Sequence, residues 1–276
     1  MFELKIPRNE LEDLVIKMAL STGKYPNRKD EFVFEVIAPK ITPEGYLEWI
    51  GKTKNITVWV RAKELKVSGI VDPINLTLKA KEVLNKLKIF NKKDIITITH
   101  DTDNGEDVFT ADNNKCKRTI RLPSVVESEA KEKQDKFPGQ LGEEGIVVYK
   151  GGRKPDLYSA CDVSLFQELV ANTKKVMGKN VEPNFYHIIF DEANNMVRTI
   201  AGDITDSSFT TVDDEVYAIS VKGNGTVHFA MGFPEVMNAL DNEIELYALV
   251  DGPLWIVQDS DNRRIRYLIP PAIMEN

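Results

Sequence analysis

Cysteine and histidine are scarce in this chain, two and three respectively among 276 residues. Cys116 and Cys161 lie far apart with no CxxC or Cys/His spacing, so a disulfide framework or zinc site lacks ligands in register; buried thiols are the simpler expectation. No glycine-rich phosphate loop, G-x-S-x-G or H-E-x-x-H sequence occurs, which leaves nucleotide hydrolysis, serine catalysis and zinc proteolysis without a motif. His100-Asp101-Thr102-Asp103 has the right atom types for a ligand set, but it stands at a hairpin end with no second cluster and reads as a solvated turn. His187 and His228 stand singly in strand-like runs and read as core or cross-strand residues. The expectation is a protein with no catalytic residue, no metal, no cofactor and no enzymatic activity.

Long apolar runs are missing as well. None approaches the roughly 18 residues that a membrane span requires, and Met1-Phe2-Glu3-Leu4-Lys5 lacks a signal peptide's apolar core. With 42% hydrophobic and 29% charged residues the composition is that of a soluble globular protein. An intracellular location without membrane contact is expected, cytoplasmic or, in a eukaryotic source, nuclear.

Positive charge is in deficit overall, at −7, but unevenly. Residues 1–123 hold 22 Lys and Arg against 18 Asp and Glu, residues 124–144 hold 3 against 6, and residues 145–276 hold 11 against 19. Such a chain does not adhere to nucleic acid through its average field, so any DNA contact needs its basic residues gathered on one face.

The pattern along the chain is strand, helix, several strands, helix, several strands, and then the same again. Phe2–Ile6 alternates, Pro7 ends it, and Asn9 with Glu12 offers a capping box for a helix to about Thr22. Its Leu11, Leu14, Val15 and Met18 follow helical spacing, which predicts Glu10, Asp13, Lys17 and Ser21 on the solvent side. A second helix is predicted over Leu76–Phe90, with Ala80, Val83, Leu84 and Leu87 inward and Lys81, Asn85 and Lys88 opposite. Strands are predicted at Phe32–Ile37, Tyr46–Ile50, Ile56–Val60, Asp94–Thr99, Asp107–Ala111 and Lys117–Leu122, with turn signals between them. Residues 124–144 are polar and charged, carry Pro138, Gly139 and Gly142, and read as a connector between domains 1–123 and 145–276. In the second half Asp162 caps a helix to about Met177 whose inward residues include Phe166, Leu169, Val170 and Val176. Strands are predicted at Phe185–Phe190, Met196–Ala201, Ser208–Val212, Val216–Val221 and Thr226–Ala230, and a short helix over Pro234–Leu240. The chain closes with a three-strand meander over Glu243–Leu249, Pro253–Gln258 and Arg264–Ile269, ended by Pro270-Pro271.

The close of that meander carries a resemblance. Asp251-Gly252-Pro253-Leu254 followed by Arg266-Tyr267-Leu268-Ile269-Pro270 resembles the end of the archaeal and eukaryotic sliding clamps of the proliferating-cell-nuclear-antigen family. Arg118-Thr119-Ile120-Arg121-Leu122-Pro123 is similar to that family's end of domain one, and Leu76–Leu87 to its second helix. Gly51-Lys52-Thr53-Lys54 departs from the family pattern, and Ile269 stands where the family keeps alanine. The resemblance implies an α+β DNA-clamp fold: two similar domains, each with two helices on antiparallel sheets, joined by a connector.

It also implies a function. Such a clamp closes as a homotrimeric ring around duplex DNA without reading sequence, is opened by a clamp loader, and tethers DNA polymerase and other proteins that carry a clamp-binding motif. Lysines that would otherwise read as solvated helix faces become DNA-facing: Lys17, Lys81, Lys86, Lys88, Lys174, Lys175 and Lys179. Partner docking falls to Val125, Val126 and Phe137 of the connector with Pro253, Tyr267, Ile269, Pro270 and Pro271, and less certainly aligned Ile56 and Val58. The edges expected to join subunits contain Lys117, Thr119 and Arg121, and Ser208 and Thr210. The helix Phe233–Asn242 carries no Lys or Arg, which also fits a specialised clamp-like subunit or a non-encircling scaffold in a hetero-oligomer.

Overall fold

The computed structural model describes residues 2–21, 36–53, 55–101, 105–112, 116–123, 140–141, 147–148, 152–177, 185–202, 211–229, 232–250 and 252–272. The chain divides into two compact units. One comprises Met1–Thr53, Val58–Lys136 and Ser260–Ile265, the other Lys54–Thr57, Phe137–Asp259 and Arg266–Asn276.

In the first unit five strands run in the order Lys117–Pro123, Glu106–Asp112, Ile95–Asp101, Phe2–Pro7 and Lys66–Ser68, each antiparallel to its neighbour. Alternation decides the faces: Leu4 lies opposite Ile98, and Ile98 opposite Phe109, and all three are buried. A second row holds Thr57–Ala62, Leu47–Lys52, Lys40–Ile41 and Ile74–Asn75. The short pair Val36–Ile37 and Leu78–Lys79 leads into a helix.

Helix α1 spans Arg8–Ala19 and helix α2 spans Ala80–Leu87, and the two pack against each other. The expected capping box is absent. Pro7 closes the first strand and sits at the N-cap without a side-chain hydrogen bond, so α1 starts before Asn9, and Glu12 is taken by Arg8 instead. The expected α1 core, Leu11, Leu14, Val15 and Met18, is buried. Its expected wet face is not fully wet: Lys17 and Ser21 are buried too, and Ser21 accepts the Trp49 indole N–H at 2.9 Å. In α2, Ala80, Val83 and Leu87 are buried, while Leu78–Lys79 joins a strand and shortens the helix predicted from Leu76.

The second unit repeats the plan. Four strands run in the order Val212–Tyr217, Met196–Ala201, Tyr186–Asp191 and Gly225–Phe229, all antiparallel. Another row orders Ser220–Lys222, Leu157–Asp162, Glu243–Ala248 and Leu254–Ser260. Helix α3 spans Val163–Met177, with the Ser164 amide donating to the Asp162 carboxylate at 2.8 Å, and α4 spans Phe233–Ala239. Phe233 is the centre of this core: Phe166 meets it edge-on at 5.8 Å, Tyr186 lies at 5.4 Å and Phe229 stacks at 6.1 Å. Gly232 opens α4 in a left-handed conformation, φ 92°, and a Cβ there would come within 2.7 Å of Ile56. Val176, expected inward, is 58% exposed near the last turn of α3.

The terminal meander differs from simple alternation. Leu254, Trp255, Ile256 and Val257 are all buried in succession, so this strand is covered on both faces. Leu249, Trp255 and Val257 form an apolar cluster of their own, packed with Tyr247 and Leu268, that a period-two reading does not anticipate. Of residues 124–144 only Gln140–Leu141 is described, paired with Val147–Val148; Val125, Val126 and Phe137 lie outside the described residues. The described residues thus contain four helices on antiparallel strands, an α+β fold with no helix long and apolar enough to cross a membrane.

Candidate nucleic-acid interface

The basic surface is built by α2. With Ala80, Val83 and Leu87 on the buried stripe, Lys81 and Lys86 fall on its two flanks and Lys88 follows the last turn, and all three are exposed. Lys81 and Lys86, with Lys79, Glu82 and Asn85, line a shallow depression of about 450 Å³. Lys88 donates to the Asn85 side-chain carbonyl at 3.4 Å, its ammonium still in solvent. In α3, Lys175 is exposed and donates to Asn172 at 3.4 Å. The Lys174 side chain and Lys179 lie outside the described residues.

Lys17 departs from the expectation. Its side chain is 2% exposed and its ammonium pairs with Asp13 one turn earlier. The cause is a distant segment: Arg263 lies against the same stripe, pairing with Glu10 at 3.3 Å and with Asp13. A lysine enclosed in that ion cluster does not present its charge to a phosphate. The other cation of α1, Arg8, is also buried, held by Glu12 and by the Leu87 carbonyl at 3.3 Å. Helix α4 adds no cation, and Glu235 is its exposed acid. Exposed positive charge on the described helices therefore belongs to α2 and the end of α3.

The expected docking residues divide in the same way. Tyr267 and Ile269 are fully buried, as are Ile56 and Val58, so none offers an open apolar surface. Tyr267 and Ile269 share the inward face of their strand with Ile265, which alternation from Ile265 would have indicated. Pro270 is exposed, and Pro253 and Pro271 are half-buried. The tail beyond them is not loose at once, for the Ala272 amide donates to the His228 carbonyl at 2.7 Å.

Among the described residues each unit presents edge strands. Lys117–Pro123 is the edge of the five-stranded sheet, with Lys117, Thr119 and Arg121 exposed. Arg121 reaches Glu106 at 3.4 Å, and Arg118 stands 3.9 Å from Asp94. In the second unit Val212–Tyr217 is one edge of the four-stranded sheet, with Gly225–Phe229 the other; Ser208 and Thr210, expected at an edge, lie outside the described residues. Strand Val212–Tyr217 carries Asp213, Asp214 and Glu215, with Arg198 of the neighbouring strand gripping Asp213 at 2.8 and 3.0 Å through Nε. Exposed apolar residues also occur, Ile89 and Ile95 in the first unit and Val176, Tyr217 and Ile219 in the second.

The histidines find local roles. His100 Nδ1 lies 2.8 Å from the carboxylate of buried Asp107, and His187 and His228 meet across paired strands with Nδ1 atoms 2.6 Å apart. Cys161 is buried, and burial pushes its thiol up to about 12.

Two units of like construction each set a helix pair against antiparallel strands. No family model and no curated protein matches the sequence. Solved structures do match over the full length. The chain is similar to A. fulgidus PCNA bound to the C-terminal region of FEN-1, with a TM-score of 0.70, 11% identity and 100% of both chains covered. It is similar to PCNA from Thermococcus kodakaraensis, with a TM-score of 0.71, 13% identity, 99% of this chain and 100% of the other. It is likewise similar to the PCNA2-PCNA3 complex from Sulfolobus tokodaii, with a TM-score of 0.70, 11% identity and 98% of both chains. The chain has the fold of these clamps.

Proposed function

We propose that this chain is a DNA sliding clamp: three copies close head to tail into a ring around duplex DNA, and the ring tethers a DNA polymerase and other replication or repair enzymes. A clamp loader opens it. In this reading residues 1–123 and 145–276 are the two clamp domains, and 124–144 is the connector between them. The observation that carries it is the exposed Lys81, Lys86 and Lys88 row on a helix whose other face is core, within a fold matched over the whole chain by clamps. A ring holds DNA by enclosure, so it needs only weak phosphate contacts that allow sliding, and a modest lysine row suffices.

Ring closure is supported by the edges. The first carries Lys117, Arg118 and Arg121, the second Asp213, Asp214 and Glu215, so a head-to-tail pairing of copies joins opposite charges and completes both ladders. Partner docking then rests on Pro253, Pro270 and Pro271 with the connector residues Val125, Val126 and Phe137, where a short partner segment with apolar anchors would seat. Lys81→Glu with Lys88→Glu tests the DNA face. Clamp-dependent synthesis falls several-fold and more steeply with salt while the oligomer persists; unchanged synthesis removes these lysines from the DNA face.

One observation favours a second reading. Neither α1 nor α4 presents an exposed cation among the described residues, which suits one specialised subunit of a hetero-oligomeric clamp or a scaffold that does not encircle DNA. Assembly only upon mixing with other clamp subunits of the same source selects it.

A further inference from the structure

A second concentration of positive charge lies within the first unit, away from α2. The end of strand Thr57–Ala62 and the turn before Arg263 enclose a depression of about 220 Å³, lined among others by Tyr46, Arg61, Lys63, Asp261, Arg263 and Arg264. Its walls are held in place. The Lys63 amide donates to the Asn262 carbonyl at 2.9 Å, which ties the turn to the strand end. The Leu65 amide donates to the Gly45 carbonyl at 3.0 Å, and Gly45 sits so close that a Cβ there would lie 2.3 Å from the Leu65 carbonyl oxygen. The Arg61 guanidinium lies over the Tyr46 ring, 4.9 Å from its centre, which restricts the fork before any ligand arrives.

The charges do not cancel. Arg263 is spent on Glu10 and Asp13. Arg61, Lys63 and Arg264 make no ion pair among the described residues, and Asp261 is the single carboxylate in the lining. In a chain of net charge −7, three unneutralised cations around one concave surface are out of keeping with the average field. Two guanidinium forks and an ammonium, brought from the end of one strand and the start of another, match a group with several anionic oxygens.

We propose that this depression binds a phosphate group, held by Arg61, Lys63 and Arg264, either as part of a nucleic-acid backbone or on a small phosphorylated molecule. The site stands independently of the sliding-clamp reading. The test is titration of the isotope-labelled full chain with inorganic pyrophosphate at constant ionic strength, followed by amide chemical shifts. Saturable shifts are expected at residues 61–63 and 262–264, weakened by about tenfold in Arg61→Gln with Arg264→Gln and retained in Lys81→Gln with Lys86→Gln. Both arginines are at least partly exposed, so the double variant keeps its fold, checked by the unchanged remainder of the spectrum. A short DNA duplex in place of pyrophosphate separates the sources: shifts at the same amides assign the site to backbone phosphates, and their absence beside a pyrophosphate response assigns it to a small molecule. Shifts no larger than those from sodium acetate, or shifts that persist in the double variant, overturn the proposal.

Discussion

Lys17 and Lys81 carry the same charge on neighbouring helices and meet opposite fates. Helical spacing identifies Lys81 as exposed because the second helix has one buried stripe and nothing else covers it. The same rule fails for Lys17, since Arg263, 250 residues away in sequence from its partner Asp13, closes over that side of α1. Lys17→Ala should therefore cost about 2 kcal/mol of stability, through lost stem packing and loss of one of the two ion pairs of Asp13, and leave DNA retention unchanged. Thermal melting beside a DNA-retention assay checks this; reduced retention with an unchanged Tm would return Lys17 to the DNA face. The cysteines differ as sharply. Cys116 is exposed and Cys161 buried, so folded protein at pH 8 should take one alkyl label per chain, at Cys116, and a second only when unfolded. Burial raises the Cys161 thiol from 9.0 to about 12, so an unfolded chain ionises it first. The stability tied to the neutral thiol is complete below pH 9.0 and declines as pH rises toward about 12.

Among the elements, strands with one wet face were the most legible. Met196–Ala201 lies where alternation put it, and Lys117–Pro123 and Arg263–Ile269 each differ from the expected span by one residue at an end. In the second unit Ser208 and Thr210 lie outside the described residues, and the strand Val212–Tyr217 escapes alternation because Asp213, Asp214 and Glu215 are poor strand residues by propensity. They are accepted there since an edge leaves side chains in water and Arg198 offsets Asp213. Tyr267 and Ile269 are buried on the face they share with Ile265, a placement that alternation along Arg263–Ile269 indicates, so neither supplies an open apolar surface. The edges carry a prediction of their own. Arg118→Glu with Arg121→Glu should dissociate the assembly at low protein concentration, and adding Asp214→Lys with Glu215→Lys in the same chain should restore it. Sedimentation of the two variants reads the outcome; no recovery in the four-fold variant would show that these edges do not meet.

For the molecule as a whole, the repeated order of elements and the family-like ends of both halves made the two-unit α+β plan readable at identities of 11% to 13%, where no family model responds. What pattern alone could not supply was which cations remain in solvent, because the count of Lys and Arg does not record their partners. Among the described lysines Lys17 leaves the expected exposed set while Lys81, Lys86, Lys88 and Lys175 remain, and on the sliding-clamp proposal so sparse a lining depends on closure more than on attraction. Closure is thus the central claim, and the mass of the assembly in solution tests it most directly. Sedimentation equilibrium at micromolar protein should give three times the 31.2 kDa chain, falling toward the single chain only as salt weakens the charged edges. A strict monomer under the same conditions, at low salt as well as high, would contradict the account.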